Sequence, residues 1–288
     1  MSPTKTAQDY LRQGEQQALR YLLGAPRAAP VGQAGTTLSQ RAGSSLEFKD
    51  HRGYEPGDDL RHIDWSVYAR SDVLTVKVYR EEITPHLDVL VDTSRSMNLE
   101  GTPKAGATLA LAAFFAVAAT RGGYTVTPWL LGGDCRPLPA GQRPPTQWEP
   151  ITFSHRGDVT VQLPTFRARS TRVLVSDLFW LGDPLRFLRP FAEQAAMAVV
   201  VQMLARADVE PLEGQSLRLV DSETDEVKEI HIDAIAAQRY RDNLARHQQY
   251  WHNACKQVGA VFLPVVAEKL LNDWNMDAFV AAEVLRIR

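Results

Sequence analysis

The stretch LDVLVDTSRSM, residues 87–97, decides the fold and locates the candidate site. Its first part, residues 87–91, is a nearly continuous apolar run of the kind that forms a strand buried on both faces of a sheet. Its second part is a polar loop that starts at Asp92. A second stretch, TRVLVSD at 171–177, has the same form and also ends in an aspartate, Asp177. Because ligands bind at the carboxyl ends of parallel strands, these two aspartates mark the candidate site.

Strands and helices alternate along the chain from His86 onward. An Ala-rich run predicts a buried helix, and AMAVVVQML predicts a further buried strand. The other predicted elements are a strand at 124–131, a hairpin at 216–232 that turns at 223–225, a helix over 234–258, a strand at 260–266 and a short helical tail. Alternation with fully apolar strands predicts an α/β fold with a doubly wound, mostly parallel, Rossmann-like sheet.

We expect three parts along the sequence. Residues 1–35 comprise a helix over 7–23 and a linker of Gly, Ala and Pro from residue 24 onward. Residues 36–85 form a densely charged, β-rich extension, in which LTVKVYREEI alternates like a half-buried strand. Residues 86–288 form the α/β domain.

The composition of the chain indicates which kinds of partner it can bind and in which cellular compartment it works. The formal net charge is -2, so no electrostatic attraction to nucleic acid or an anionic membrane is expected. The 2 cysteines are too few for a disulfide framework, and polar residues interrupt every apolar run near the start. The most apolar stretch, 105–119, is short of the ~20 residues that a membrane span needs. We therefore expect a cytoplasmic protein without a membrane span.

The loop after the first strand carries hard oxygen donors at alternate positions. Asp92, Ser94 and Ser96 suit Mg²⁺ best, with Mn²⁺ and Ca²⁺ as alternatives, and Asp177 offers a second carboxylate. The alternative interpretation is structural, because Ser and Asp before a helix commonly cap its free N–H groups. The pairing of the two strand ends favours the metal-site hypothesis.

Upstream of the α/β pattern, three carboxylates lie among arginines. One hypothesis is a metal-dependent hydrolase that uses Asp58, Asp59 and Asp64 with His62 as an acid/base set. The alternative is a polar network in which these carboxylates pair with Arg52, Arg61 and Arg70. The sequence identifies neither a nucleophile nor a Gly-rich phosphate loop, and the scattered histidines lack zinc spacing. We therefore expect a protein that is not an enzyme.

The strand, the loop DTSRSM and the distal Ser176-Asp177 resemble a von Willebrand factor A domain with its metal-ion-dependent adhesion site. The resemblance implies that two serines and a threonine coordinate the ion, that the aspartates act largely through water, and that a partner's carboxylate completes the shell. Asp92, Ser94, Ser96 and Asp177 occupy the matching positions. The threonine is sought among Thr152, Thr160 and Thr165, with Thr160 as the candidate in the metal site.

The upstream block RGYEPGDDLRHIDWSVYAR resembles the family of domain of unknown function 58, in which such a block precedes a von Willebrand A-like domain. The matching residues are Arg52, Tyr54, Gly57, Asp58, Asp59, Arg61, Ile63, Asp64, Trp65, Ala69 and Arg70. The resemblance implies a non-enzymatic, metal-dependent protein-binding module. It also implies an adaptor role with a MoxR-type AAA+ ATPase in a chaperone-like or complex-assembly system, with the partner supplying an Asp or Glu. The hydrolase and a metal-free scaffold stay as alternatives.

Overall fold

The computed structural model describes residues 5–24, 46–81, 84–156, 162–211, 213–220 and 227–288. The predicted linker beyond residue 24 and the predicted hairpin turn at 223–225 lie outside these ranges. By its internal contacts the chain divides into two compact units. Unit 1 comprises Met1–Ala28 and Pro85–Arg288, and unit 2 comprises Ala29–Thr84.

The helices and strands are numbered in chain order. The helices are α1 (Ala7–Ala18), α2 (Trp65–Ser71), α3 (Lys104–Arg121), α4 (Pro184–Ala192), α5 (Arg206–Val209), α6 (Ala234–Gln257), α7 (Ala267–Asp273) and α8 (Asp277–Ala281). The strands are β1 (Tyr21–Leu23), β2 (Leu46–Gly53), β3 (Thr75–Glu81), β4 (His86–Asp92), β5 (Thr125–Leu131), β6 (Cys135–Pro137), β7 (Thr171–Ser176), β8 (Met197–Leu204), β9 (Gln215–Val220), β10 (Val227–Ile232), β11 (Val261–Val266) and β12 (Leu285–Ile287).

A six-stranded sheet forms the centre of unit 1, in the order β11-β8-β7-β4-β5-β6. All neighbours are parallel except β6, which runs antiparallel to β5. The predicted α/β fold with a mostly parallel sheet is therefore confirmed. Counted along the chain, the strands lie in the order 6-5-4-1-2-3, as in doubly wound sheets. The order reverses between β4 and β7, so the carboxyl ends of these two strands border the crevice where such sheets bind ligands.

Both faces of the sheet are covered, because the side chains of its strands alternate between two cores. Val89 and Val91 of β4 pack in the core that contains α3, whereas Leu90 packs with the aromatic residues of α4 and α6. Every residue of β4 and β7 is buried. Burying one Val or Leu side chain contributes roughly 1.5–3 kcal/mol, so these runs commit the two strands to the centre of the sheet.

The Ala-rich helix α3 is the core helix of unit 1, as predicted. Its length and composition also meet those of a membrane-spanning helix, but 78% of that stretch is buried inside the protein. Its small side chains permit very close contacts with α1. A Cβ on Gly14 of α1 would lie 2.0 Å from the carbonyl oxygen of Ala110, and a Cβ on Gly106 would lie 2.4 Å from the ring of Tyr10. Glycine is therefore required where these two helices cross.

Both ends of unit 1 differ from the prediction. The helix predicted over 7–23 ends at Ala18, and β1 follows it and pairs antiparallel with β12. The predicted helical tail consists of α7 and α8 followed by β12. A three-residue strand has too little periodicity to be recognised, and its hydrogen-bonding partner lies more than 250 residues away in the sequence.

Unit 2 contains β2, α2 and β3. The two strands pair antiparallel, with an irregularity in register between Phe48 and Asp50. The strand predicted from LTVKVYREEI is present as β3. Asp64 caps α2 by accepting hydrogen bonds from the backbone N–H groups of Ser66 and Val67. In unit 1, β9 and β10 form the predicted antiparallel hairpin.

Candidate functional site

The candidate site begins with Asp92, the last residue of β4, which is completely buried. Its Oδ1 accepts a hydrogen bond of 2.8 Å from the backbone N–H of Ser94 and so shapes the loop. Its Oδ2 accepts hydrogen bonds from the hydroxyl of Ser176, at 2.5 Å, and from the indole N–H of Trp180, at 3.1 Å. The carboxylate therefore ties the loop after β4 to the end of β7.

The two serines of the loop present their hydroxyls to each other. The Oγ atoms of Ser94 and Ser96 lie 3.1 Å apart. Ser94 precedes a short 3-10 turn, Arg95–Asn98, but its side chain does not cap that turn. The capping interpretation therefore does not account for the hydroxyl of Ser94, which contacts that of Ser96 instead. Two oxygens at this separation match neighbouring ligands of a Mg²⁺ octahedron, whose Mg–O distances of about 2.0–2.1 Å put adjacent oxygens about 2.9 Å apart.

Asp177, the second predicted carboxylate, follows β7 and is 1% exposed. Its Oδ1 accepts the backbone N–H of Phe179 at 3.2 Å, and its own N–H points at the sulfur of Met97, 3.2 Å away. Its Oδ2 lies 2.8 Å from the ammonium of Lys104. The structure therefore brings Asp177 to the same end of the sheet as Asp92, but bound to a lysine that the sequence had not singled out.

Lys104 is the first residue of α3, and its side chain is 1% exposed. Besides Asp177, its ammonium contacts Oδ2 of Asp208 on α5 at 3.1 Å. The ring of Phe179 lies over the same ammonium, with 5.5 Å between the nitrogen and the ring centroid. A cation in the first turn of a helix is unfavourable for the helix dipole, and this signal was not used to predict the site from the sequence.

The pKa values at the site follow from burial and from these charges. Burial, and then the charge of Asp177, raise the pKa of Asp92, and the hydrogen bonds from Ser176 and Ser94 oppose the rise. Burial by itself lowers the pKa of Lys104, but the charges of Asp177 and Asp208 outweigh it and the net shift is upward. The two buried carboxylates repel each other, and this repulsion favours a cation near them.

The threonine implied by the resemblance remains unplaced. Thr160 lies outside the described residues. Thr152 lines a cleft of about 300 Å³ together with Thr93 and His155, next to the loop. Thr165 precedes Phe166, whose ring packs on the guanidinium of Arg172 at the amino-terminal end of β7. That is the opposite end of the strand from Asp177.

Within the ranges that the structure describes, no three His, Cys, Asp or Glu side chains converge as a metal-binding group. The predicted site depends mainly on hydroxyl oxygens, which belong to none of these four residue types. The donors that do come together are the two hydroxyls and the carboxylate of Asp92. A cation held there would rest on hard, mostly neutral oxygens, which are ligands for Mg²⁺ or Mn²⁺ rather than zinc.

The charged motif of unit 2 forms ion pairs, as the structural alternative predicted. Arg52 binds Asp58 with two hydrogen bonds, at 2.6 and 2.8 Å, and Arg61 binds Asp59 at 2.7 Å. These contacts lower the pKa of Asp58 and hold that of Asp59 at about 2.

The third predicted pair is not formed. Asp64 contacts His51 at 2.8 Å and Lys77 at 3.4 Å, and the hydrogen bond from His51 is the main cause of its lowered pKa. Arg70 instead donates to the backbone carbonyl of Ser66 at 2.9 Å. All three carboxylates of the hydrolase hypothesis are therefore engaged by basic side chains. Leu60, Trp65 and Tyr68 of the same motif are exposed, at 61%, 62% and 37%.

Fold and site together define an α/β protein with a polar loop at the switch point of a mostly parallel sheet. A family model described as "Protein of unknown function DUF58" matches residues 50–250. The chain belongs to that family.

The chain has sequence relatives in mycobacteria. The chain is 27% identical over 262 residues to the uncharacterized proteins Rv1480 of Mycobacterium tuberculosis and Mb1516 of Mycobacterium bovis, covering 84% of this chain and 80% of each relative. Among solved structures, it is similar to the hypothetical protein BatB of Bacteroides thetaiotaomicron, at 9% identity and a TM-score of 0.33 over 69% of this chain and 95% of that one. An aerotolerance-related membrane protein of Bacteroides fragilis matches at 12% identity and a TM-score of 0.36, over 69% and 98%.

Proposed function

We propose that the chain is a non-enzymatic binding module that recruits a partner protein through a divalent cation. In this proposal the cation is held by the hydroxyls of Ser94 and Ser96, with Asp92 and Asp177 acting through water. A carboxylate from the partner completes the coordination. The module thereby resembles a von Willebrand factor A domain with its metal-ion-dependent adhesion site.

The observation that carries the proposal is the pair of hydroxyls 3.1 Å apart at the carboxyl end of β4. The hydroxyl of Ser94 does not cap the turn that follows and shares a hydrogen bond with that of Ser96, so the loop holds two neutral oxygens side by side. Because neutral ligands leave most of the ion's charge uncompensated, a held Mg²⁺ or Mn²⁺ would attract an incoming Asp or Glu. The strand order supports the same location, since β4 and β7 flank the switch point.

The proposed partner is an AAA+ ATPase. The resemblance of the charged motif to its family favours a MoxR-type AAA+ ATPase in the cytoplasm, in a chaperone-like or complex-assembly system. The hydrolase alternative has less support, because Asp58, Asp59 and Asp64 are each engaged by a basic side chain. The metal-free scaffold is the competing hypothesis, and the buried ammonium beside Asp177 is the observation in its favour.

Calorimetric titration of Mg²⁺ into the full chain tests the proposal. We expect one saturable site, lost in Ser94→Ala/Ser96→Ala because both hydroxyl ligands are then removed. Ser66→Ala/Ser71→Ala, which removes two exposed hydroxyls of α2, is the matched control and keeps the site. Equal Mg²⁺ binding by the wild type and the loop variant, or none by either, would contradict the proposal. A chelator-sensitive pull-down of an AAA+ ATPase then tests the partner class.

A further inference from the structure

The ammonium of Lys104 occupies an unusual position, because two costs oppose it. It lies in the first turn of α3, where the helix dipole disfavours a cation, and it is withdrawn from water. The carboxylates of Asp177 and Asp208, at 2.8 and 3.1 Å, are what holds it there. A buried lysine without such partners would be neutral or would turn outward to solvent.

The carboxylate of Asp177 is also the one that the proposed function assigns to the cation. One of its oxygens faces Lys104 and the other accepts the N–H of Phe179. A divalent ion near Asp177 would be repelled by an ammonium 2.8 Å from the same carboxylate, and the charge that attracts the ion is already compensated. The phenyl ring of Phe179, which is 41% exposed, lies over the ammonium.

We propose that Lys104 is an internal counter-ion that competes with a divalent cation for Asp177. The resting chain then has a weakened cation site that depends on Asp92, Ser94 and Ser96. The full site forms only when the ammonium leaves Asp177 for Asp208 or for solvent. This inference rests on the proposed function and concerns how strongly the site holds its ion.

Titration of Mn²⁺ into the full-length wild type and Lys104→Met tests the inference. Methionine keeps the length and burial of the side chain but removes the positive charge. We expect the variant to bind Mn²⁺ about tenfold more tightly or better, the scale set by one unit charge a few ångströms away in a partly buried site. Lys256→Met removes the same charge from the exposed last turn of α6 and leaves the affinity unchanged.

Two further variants test whether the gain in Mn²⁺ affinity depends on Asp177 and on the two loop serines. Lys104→Met/Asp177→Asn loses the gain in affinity, and Lys104→Met with both loop serines changed to alanine binds no Mn²⁺. Since Lys104→Met leaves Asp177 and Asp208 without their cation, its melting temperature falls in the absence of metal, and Mn²⁺ restores it more than it raises that of the wild type. Lys104→Met/Asp208→Asn, which removes one unpaired carboxylate, gives the same comparison if the single variant folds poorly.

The outcomes separate the two proposals. If the wild type binds Mn²⁺ as tightly as Lys104→Met, the competition is contradicted and the proposed function is not affected. Tight binding by Lys104→Met with none by the wild type supports the competition and contradicts cation-mediated recruitment by the unaltered chain. Absence of binding in every variant, with no thermal response to Mn²⁺, overturns both.

Discussion

At the scale of single residues, the candidate site depends on the buried carboxylate of Asp92. Burial and the charge of Asp177 raise its pKa, and hydrogen bonds from Ser176 and Ser94 oppose the rise. Three donors bind the carboxylate: the hydroxyl of Ser176, the backbone N–H of Ser94 and the indole N–H of Trp180. Two of these donors follow or end β7. These hydrogen bonds to Asp92 thus join the loop after β4 to the neighbouring strand β7.

We expect Ser176→Ala to lower the free energy of unfolding by about 2 kcal/mol, because the buried carboxylate of Asp92 loses a charge-assisted hydrogen bond. The N–H of Leu178 loses its acceptor in the same variant. Urea denaturation followed by circular dichroism measures the change. Ser154→Ala, at an exposed position, is the control and stays within about 0.5 kcal/mol. A loss in Ser176→Ala no larger than in the control would show that Asp92 does not need this donor.

The residues of the site were predictable only in part. Asp92 and Asp177 were visible because each ends an apolar strand, and the alternate serines follow directly in the chain. Lys104 and Asp208 were not visible, because the contacts of the ammonium join residues 73 positions apart and link α3 to α5. The ion pairs of unit 2 were predicted for Asp58 and Asp59, since their arginines lie within six residues. Asp64 pairs instead with residues of the two strands, β2 and β3.

At the scale of secondary-structure elements, the close crossing of α1 and α3 holds the first helix of the chain in unit 1. Gly14 faces the backbone of Ala110, while Leu11 and Ala18 are buried in the same core. Glycine ordinarily destabilises a helix relative to alanine by about 1 kcal/mol, so helix propensity alone favours replacing it. The close packing against Ala110, however, leaves no room for a side chain at residue 14.

We therefore expect Gly14→Ala to destabilise the protein by about 2–3 kcal/mol, because the new methyl group would meet a main-chain carbonyl oxygen that cannot move aside easily. Chemical denaturation of the two proteins gives the difference. Gln16→Ala, on the exposed face of α1, tests propensity without the clash and is neutral or slightly stabilising. A stabilising effect of Gly14→Ala would mean that α1 does not pack on α3 this closely.

The central strands were predictable from sequence, and the short ones were not. Residues buried on both faces give a continuous run of Val and Leu, which is how β4, β7 and β8 were recognised. The strands β1 and β12 pair with each other through only three residues each, and such short segments show no distinctive hydrophobic pattern. The assignment of Tyr21–Leu23 to a helix failed for this reason: an amphipathic helix ends just before them, and its periodicity extends by chance across the turn.

At the scale of the whole molecule, the two units differ in how they use charge. Unit 1 buries several charged groups among its strands and helices, including Asp88, Asp92, Lys104, Arg172 and Asp177. Unit 2 places carboxylates in ion pairs near its surface, and these contacts lower the pKa values of Asp58, Asp59 and Asp64. A lowered pKa in the folded state means that the pair stabilises the fold above the ordinary carboxyl pKa, and that this contribution is lost as the pH falls through the folded value.

We expect unit 2 to lose structure in acid, between the ordinary carboxyl pKa of 3.8 and the value of about 2 for Asp59. Trp65 reports on this unit alone, because the other tryptophans of the chain lie in unit 1. In protein labelled with 5-fluorotryptophan, the fluorine resonance of Trp65, assigned from Trp65→Phe, moves to its unfolded position over that interval. The resonances of Trp129 and Trp251 are the internal controls. A Trp65 resonance that keeps its folded position down to pH 2 would contradict a stabilising role of the ion pairs in unit 2.

The division into units has a consequence for the continuity of the chain. Unit 1 is formed by two separate stretches, one before and one after unit 2. A single cut of the backbone within residues 29–84 would therefore give two fragments, and each stretch of unit 1 would stay whole in one of them. The shorter fragment would carry α1 and β1, held to the longer one by the crossing at Gly14 and by pairing with β12. We therefore expect the two fragments to associate as a fragment-complementation pair, through the contacts of one helix and one strand and without a covalent link.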